Sequence, residues 1–158
     1  MKKKLIWIFA ALVAVFALLQ LTNPPRTNPP VAPGHDLMAT NAPPPQIAAR
    51  LHAACYDCHS CETRWPWYSH IAPVSWLVAG DVKDGRERLN FSDWPRELPE
   101  RAAKRLERIS EEVGYRNMPP GKYTLLHPEA RLTPAQREQL IHWADGEAAR
   151  LKAAVTNQ

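Results

Sequence analysis

The sequence predicts an all-α domain behind a single apolar N-terminal segment. Three observations lead there: apolar residues recur at helical spacing in separate stretches, prolines stand where those stretches begin, and no run of alternating β-branched residues qualifies as a strand. At 158 residues the chain has room for one domain of ordinary size and a tail.

The first element is "LIWIFAALVAVFALLQL", Leu5 to Leu21, in which Gln20 is the only polar residue, preceded by Lys2, Lys3 and Lys4. As a helix its seventeen residues span about 26 Å, just short of a hydrocarbon core of about 30 Å. Lysines ahead of an apolar run mark an export signal whose charged end stays in the cytoplasm. Val15-Phe16-Ala17 offers a conceivable cleavage site, but no clean A-x-A follows the run and there is no lipobox cysteine. Trp7 and the length of the run favour a retained anchor over residues 1–22. Nothing along the segment is amphipathic, so a buried core helix fits poorly.

Asn23 to Pro45 carries eight prolines and reads as an extended, semi-rigid spacer that would hold a domain away from the membrane. The domain itself is expected over residues 46–155. Ile47, Leu51, Ala54, Cys55 and Cys58 share one face of a helix that begins after Pro45. Pro66 and Pro73 interrupt the pattern, and a second helix fits Val74 to about Leu89. Ala102, Leu106, Ile109 and Val113 mark a third, from near Pro99 to Gly114. "YRNMPPGKYTLLHPEARL" reads as a long loop. Thr133-Pro134-Ala135-Gln136 is a capping box with proline at the first helical position, and opens a last helix running to about Ala153 with Leu140, Ile141, Ala144, Ala148 and Leu151 inward.

Charge narrows the function. The net charge is +4 and the pI about 9.1, yet residues 46–158 hold 16 Lys+Arg against 15 Asp+Glu. The surplus comes mainly from the N-terminal lysines, and no basic stripe with interleaved aromatics stands out. Nucleic acid is therefore not an expected partner.

All three cysteines fall within Cys55–Cys61, and Cys55-Tyr56-Asp57-Cys58-His59 is C-x-x-C-H, the signature of c-type haem attachment. Two thiols three residues apart on one helical turn can each add to one haem vinyl, and the next residue brings its imidazole to the iron from the same side. Export agrees, because in bacteria this attachment is carried out outside the cytoplasm. A structural zinc site needs four ligands, and Cys61 is crowded against His59. A thioredoxin-like pair wants a βαβ setting that this chain does not offer. Three unrelated thiols in an oxidising compartment would be liable to scramble. The cofactor expected is one covalently attached haem c.

The iron then needs a second axial ligand or an open site. Met118, in a loop stiffened by Pro119-Pro120, is the best candidate; as a bland alternative it fills a gap in the core. His70 and His127, each near a proline in a loop, compete with it. Met38 and His35 lie in the spacer, His52 shares the proximal side, and His142 reads as a surface residue. Trp65, Trp67, Tyr68 and Trp76 are expected to wall the haem, with Arg64, Tyr68 and Lys122 available to its propionates. Trp143 is expected to pack the last helix on the first.

"CYDCHS", "ETRWPWYS", "IAPVSWLV", "GRERLNFSDW", "MPP" and "LHPEARLT", in that order, resemble successive blocks of the bacterial haem-binding domain family of c-type cytochromes. The resemblance runs from about Asn28, including "NPPV", to the last helix. It implies a cytochrome c-like helical fold, attachment through Cys55 and Cys58, His59 as proximal ligand and Met118 as distal ligand. The chain departs from the family pattern where it carries Cys61 and His70, positions at which relatives usually have asparagine.

The expectation is a mono-haem electron carrier rather than an enzyme. It would be tethered on the periplasmic side of the inner membrane, or released into the periplasm if the signal is cleaved, and would serve redox partner proteins. The alternative is a haem sensor or peroxidase-like enzyme with an open sixth site, which would need a distal residue such as His70, His127 or Arg116.

Overall fold

The computed structural model describes residues 1–95 and 97–156, and among them there is no strand. Helix α1 (Lys2–Leu19) runs into a 3-10 turn, Gln20–Thr22, and buries none of its side chains against the rest of the chain. It is long and apolar enough to cross a membrane.

The spacer expected over Asn23–Pro45 is corrected by the structure: most of it lies on the domain. Its prolines remove amide donors, and the polar groups that remain find partners there. Asn28 Nδ2 donates to Thr63 O at 2.9 Å, and Arg86 donates to Thr27 O at 3.0 Å and Asn28 Oδ1 at 2.9 Å. His35 O accepts the Trp94 amide at 2.7 Å, and the Leu37 amide donates to Phe91 O at 2.8 Å. A short helix, α2 (Leu37–Asn41), starts at Asp36, whose carboxylate caps the Met38 amide at 2.7 Å and accepts the Tyr56 hydroxyl at 3.0 Å. Leu37 is fully buried.

Helix α3 (Pro45–Leu51) has proline in its first turn and buries Ile47 and Leu51. It continues without a break through a π-helical turn, His52–Tyr56, into α4 (Asp57–His59). A 3-10 turn, Trp67–His70, precedes α5 (Val74–Arg88), which packs on α4. Helices α6 (Pro99–Gly114) and α8 (Pro134–Thr156) form the closest pair in the fold. Ala102 and Ala103 on α6 and Ala144 and Ala148 on α8 are all buried, and such small side chains let two helix axes approach. Leu106, Ile109, Val113 and Leu140 join Leu37, Leu51, Tyr56, Phe91 and Trp94 in one core, with Trp143 half-buried against it.

The α8 capping box forms as read. The Thr133 amide donates to Gln136 Oε1 at 2.9 Å and the Gln136 amide to Thr133 Oγ1 at 3.2 Å. The long loop after α6 holds more order than its composition suggests, namely helix α7 (Gly121–Leu126) and a 3-10 turn, Pro128–Ala130.

Candidate functional site

The C-x-x-C-H residues occupy the junction of the π turn and α4, where the backbone widens. Single π turns inside helices recur at functional sites. The His59 ring is held from one side: Nδ1 lies 3.0 Å from Gly85 O and 2.9 Å from Leu89 O. Both partners are carbonyls, so Nδ1 carries the proton and Nε2 keeps its lone pair. Burial lowers the pKa of the ring, opposed by these two bonds, and favours the neutral imidazole a metal requires. Orientation of a ligating histidine through its other nitrogen is the usual support of a metal ligand.

That support depends on Gly85. A Cβ there would stand 2.5 Å from Cys58 O and 3.2 Å from Cys58 Cβ. Helix α5 reaches the histidine only because this position lacks a side chain.

No disulfide joins Cys55, Cys58 and Cys61. Burial, with Cys58 adding to it, pushes the Cys55 thiol up to about 12. Burial followed by Asp81 and Asp57 pushes Cys58 up to about 11, against Lys122 and Arg86. Reactive redox cysteines have the opposite character, a depressed pKa and an electropositive setting. Cys61 lines neither of the cavities described next; its amide donates to Ser92 Oγ at 2.9 Å and its sulfur accepts from Asn90 Nδ2 at 3.8 Å. Among the described residues no cluster of three or more His, Cys, Asp or Glu is placed to hold a metal ion.

Two cavities meet at the motif. The larger, of about 430 Å³, has Cys58, His59, Met118, Tyr68, Tyr123 and Leu77 in its wall. The smaller, of about 100 Å³, is lined by Cys55, His59, Leu89, Phe91, Ile109 and Met118 among others. His59 and Met118 border both, while Cys58 borders only the larger and Cys55 only the smaller. The larger alone falls within the range of about 300–1,000 Å³ typical of cofactor sites.

Met118 is held by its backbone. Its amide donates to Glu112 O at 3.1 Å, and Arg137 Nη1 donates to its carbonyl at 3.0 Å while also reaching Val113 O. The thioether is half-buried against the core and shares its cavity walls with His59. An imidazole lone pair and a thioether bordering one apolar space are a donor set that haem iron accepts.

The histidine competitors are placed otherwise. His127 lines the larger cavity, but both ring nitrogens are engaged: Glu129 Oε1 lies 3.1 Å from Nδ1 and the Tyr68 hydroxyl 2.6 Å from Nε2. Nδ1–H donates to the carboxylate, leaving Nε2 to accept from the Tyr68 hydroxyl, and the ring is stacked on Tyr123 at 4.2 Å. His70 is exposed and lies outside both cavities, as do Arg116, His52 and His142.

Sequence reasoning missed Asp57. Its buried carboxylate receives Arg64 Nε at 3.2 Å, Arg64 Nη2 at 3.1 Å and the Tyr123 hydroxyl at 2.8 Å. Burial and this bond to Asp57 raise the Tyr123 phenol, which stays a donor. The network ties α7 to the residue between the two cysteines. Its one signal was an acidic residue inside an otherwise apolar helical face.

The tryptophan wall is corrected. Trp65, Trp67 and Trp76 do not border either cavity, and Tyr68 alone of the expected aromatics does. Trp76 turns instead to the end of α1, where its Nε1 donates to Thr22 O at 3.1 Å. Val74, Leu77, Val78 and Leu126 supply the apolar wall. Arg64 and Lys122 do border the larger cavity, already paired with Asp57 and, at 2.7 Å, with Asp81.

A family model described as a haem-binding domain matches residues 14–146 of the chain. No curated protein and no solved structure matches it.

Proposed function

Because the chain belongs to the haem-binding domain family and binds haem as such, we propose that it is a mono-haem electron carrier of cytochrome c-like fold, with the cofactor bonded covalently through Cys55 and Cys58. His59 and Met118 would hold its iron, the imidazole beside the attachment thiols and the thioether from the Met118 loop. The observation that carries this reading is the shared position of His59 and Met118 on both cavities, with one thiol of the motif on each. Haem supplies a ferric–ferrous couple, and the chain supplies everything that tunes it. Gly85 and Leu89 fix the imidazole, Glu112 and Arg137 fix the loop that presents the thioether, and Val74, Leu77, Val78 and Leu126 supply the apolar wall. A saturated His/Met pair suppresses chemistry at the iron and raises the potential relative to two imidazoles.

The tether in this reading is α1, and the domain faces the periplasm. Its residues 46–158 are nearly neutral, so docking of redox partners would rest on apolar contact more than on charge steering. The sensor or peroxidase alternative gains little support. His127 already accepts a hydrogen bond at Nε2, and neither His70 nor Arg116 borders the cavity.

Two measurements on protein matured in a host that makes c-type cytochromes test the proposal. Haem should resist acid-acetone extraction, and the oxidised spectrum should be low-spin with the weak red band of Met–iron ligation. Extractable haem refutes covalent attachment. High-spin iron that binds CO readily refutes the carrier.

A further inference from the structure

Five large apolar side chains within one short stretch of chain are exposed: Trp67 and Leu77 most, at 76% and 66%, and Ile71, Val74 and Trp76 in part. They come from the 3-10 turn, from Ile71 just after it and from the first turn of α5, and the two elements pack on each other. Val74 and Leu77 are three residues apart on one face of that helix and also border the larger cavity.

The end of α1 is fastened into this patch. Gln20 Oε1 accepts the Ala72 amide at 2.9 Å and Gln20 Nε2 donates to Ala72 O at 3.3 Å, a two-point clamp on a residue inside the patch. Trp76 Nε1 adds its bond to Thr22 O at 3.1 Å. The apolar run Leu5–Leu21 measures about 26 Å as helix, close to the thickness of a hydrocarbon core of about 30 Å. With the lysines on one side, Gln20 and Thr22 therefore sit where the helix leaves the lipid on the other. The Ala72–Trp76 segment bonded to them lies within about one helical turn, roughly 5 Å, of that level. Tryptophan is enriched at this depth, where its ring is apolar and its N–H finds a partner.

We propose that the face made by Trp67, Ile71, Val74, Trp76 and Leu77 rests on the headgroup layer of the membrane that α1 spans. The larger cavity then opens beside the bilayer. An exposed patch continuous with a membrane exit is covered without any protein partner, and Gln20 fixes the orientation by holding the domain at two atoms. The inference rests on α1 being retained.

The test uses the full-length, haem-loaded chain in vesicles of phosphatidylethanolamine and phosphatidylglycerol. The photoreactive residue p-benzoylphenylalanine replaces Trp67, Ile71 or, as a control on α8, Asp145, and intact mass is read after illumination. Neither Trp67 nor Ile71 borders a cavity, so the haem site is left alone. Positions 67 and 71 should gain the mass of one phospholipid, in several-fold higher yield than position 145. Equal yields at all three positions, or protein–protein adducts in place of lipid, overturn the proposal. A full-length mass with no lipid adduct overturns the docking alone. A mass lacking the first residues overturns the anchor and the docking with it.

Discussion

Two glycines of α5 should respond to the same substitution with opposite sign. Ala is favoured over Gly inside a helix by about 1 kcal/mol. At Gly80 nothing lies within 4 Å of an added Cβ, so Gly80→Ala should realise that gain, about 0.5–1 kcal/mol. At Gly85 the added Cβ would meet Cys58 O at 2.5 Å and Cys58 C at 3.0 Å. Backbone atoms cannot swing aside, so α5 must move off α4. Overpacking of this kind costs about 1–3 kcal/mol. The shift also stretches the bond from His59 Nδ1 to Gly85 O, now 3.0 Å, worth about 1 kcal/mol. Set against the helix gain, Gly85→Ala should lose about 1–3 kcal/mol overall. The gap between the two variants is then about 1.5–4 kcal/mol, read from urea unfolding midpoints at unchanged slope. Gly85→Ala should also perturb the haem spectrum, and Gly80→Ala should not. If both substitutions stabilise alike, α5 is not pressed on the motif and the account of how His59 is held is wrong.

Replacing Met118 with Ala should abolish the weak red band and leave iron that binds CO; Met118→His should restore low-spin iron at a clearly lower potential, within the span of about 0.8 V that axial ligands command. A His127→Ala variant that loses the low-spin spectrum while Met118→Ala keeps it would assign the ligand to the histidine. Leu37→Ala should cost about 2–5 kcal/mol, because that side chain is fully buried; a loss below about 0.5 kcal/mol, the level of ordinary surface substitutions, would return the proline-rich stretch to a free spacer. The Glu147 carboxyl is held below its ordinary value of 4.5, by Arg150 first and then by Asn41 on α2, with burial opposing. Its folded pKa is the depressed one, so its contribution is present above the unfolded value and lost as pH falls through the folded value. Glu147→Gln should flatten the acid limb of stability below pH 4.5, measured by urea unfolding across pH.

The helices that carry the site were legible because each is punctuated at its start: Pro45, Val74, Pro99 and the Thr133–Gln136 box all open helices where read. The proline-rich stretch was misjudged because prolines report only that a segment cannot donate, and say nothing about what it lies on. Asp36 ahead of Leu37 was the available signal, a capping residue before an apolar one. The resemblance that began at Asn28 pointed the same way, and Asn28 is bonded to Thr63 and Arg86. Trp67 and Trp76 were assigned to the cavity on hydrophobicity alone. That property does not distinguish a wall from a surface that meets lipid, and only the position of α1 separates the two.

What sequence pattern reaches least is the support behind each ligand, because it comes from elsewhere in the chain. His59 is oriented by carbonyls 26 and 30 residues away, and a backbone carbonyl has no sequence signature. The Met118 loop depends on Arg137, 19 residues on, whose guanidinium joins Met118 O to Val113 O at the end of α6. A cation there also faces the negative end of the helix dipole. His59 is thus held by α5 and the Met118 loop by α6 and α8. Among the described residues these two supports share no hydrogen bond, so damage to one should leave the other side chain in place. Gly85→Ala therefore belongs to the histidine side, where it loosens the imidazole while the Arg137 bonds to the Met118 loop persist.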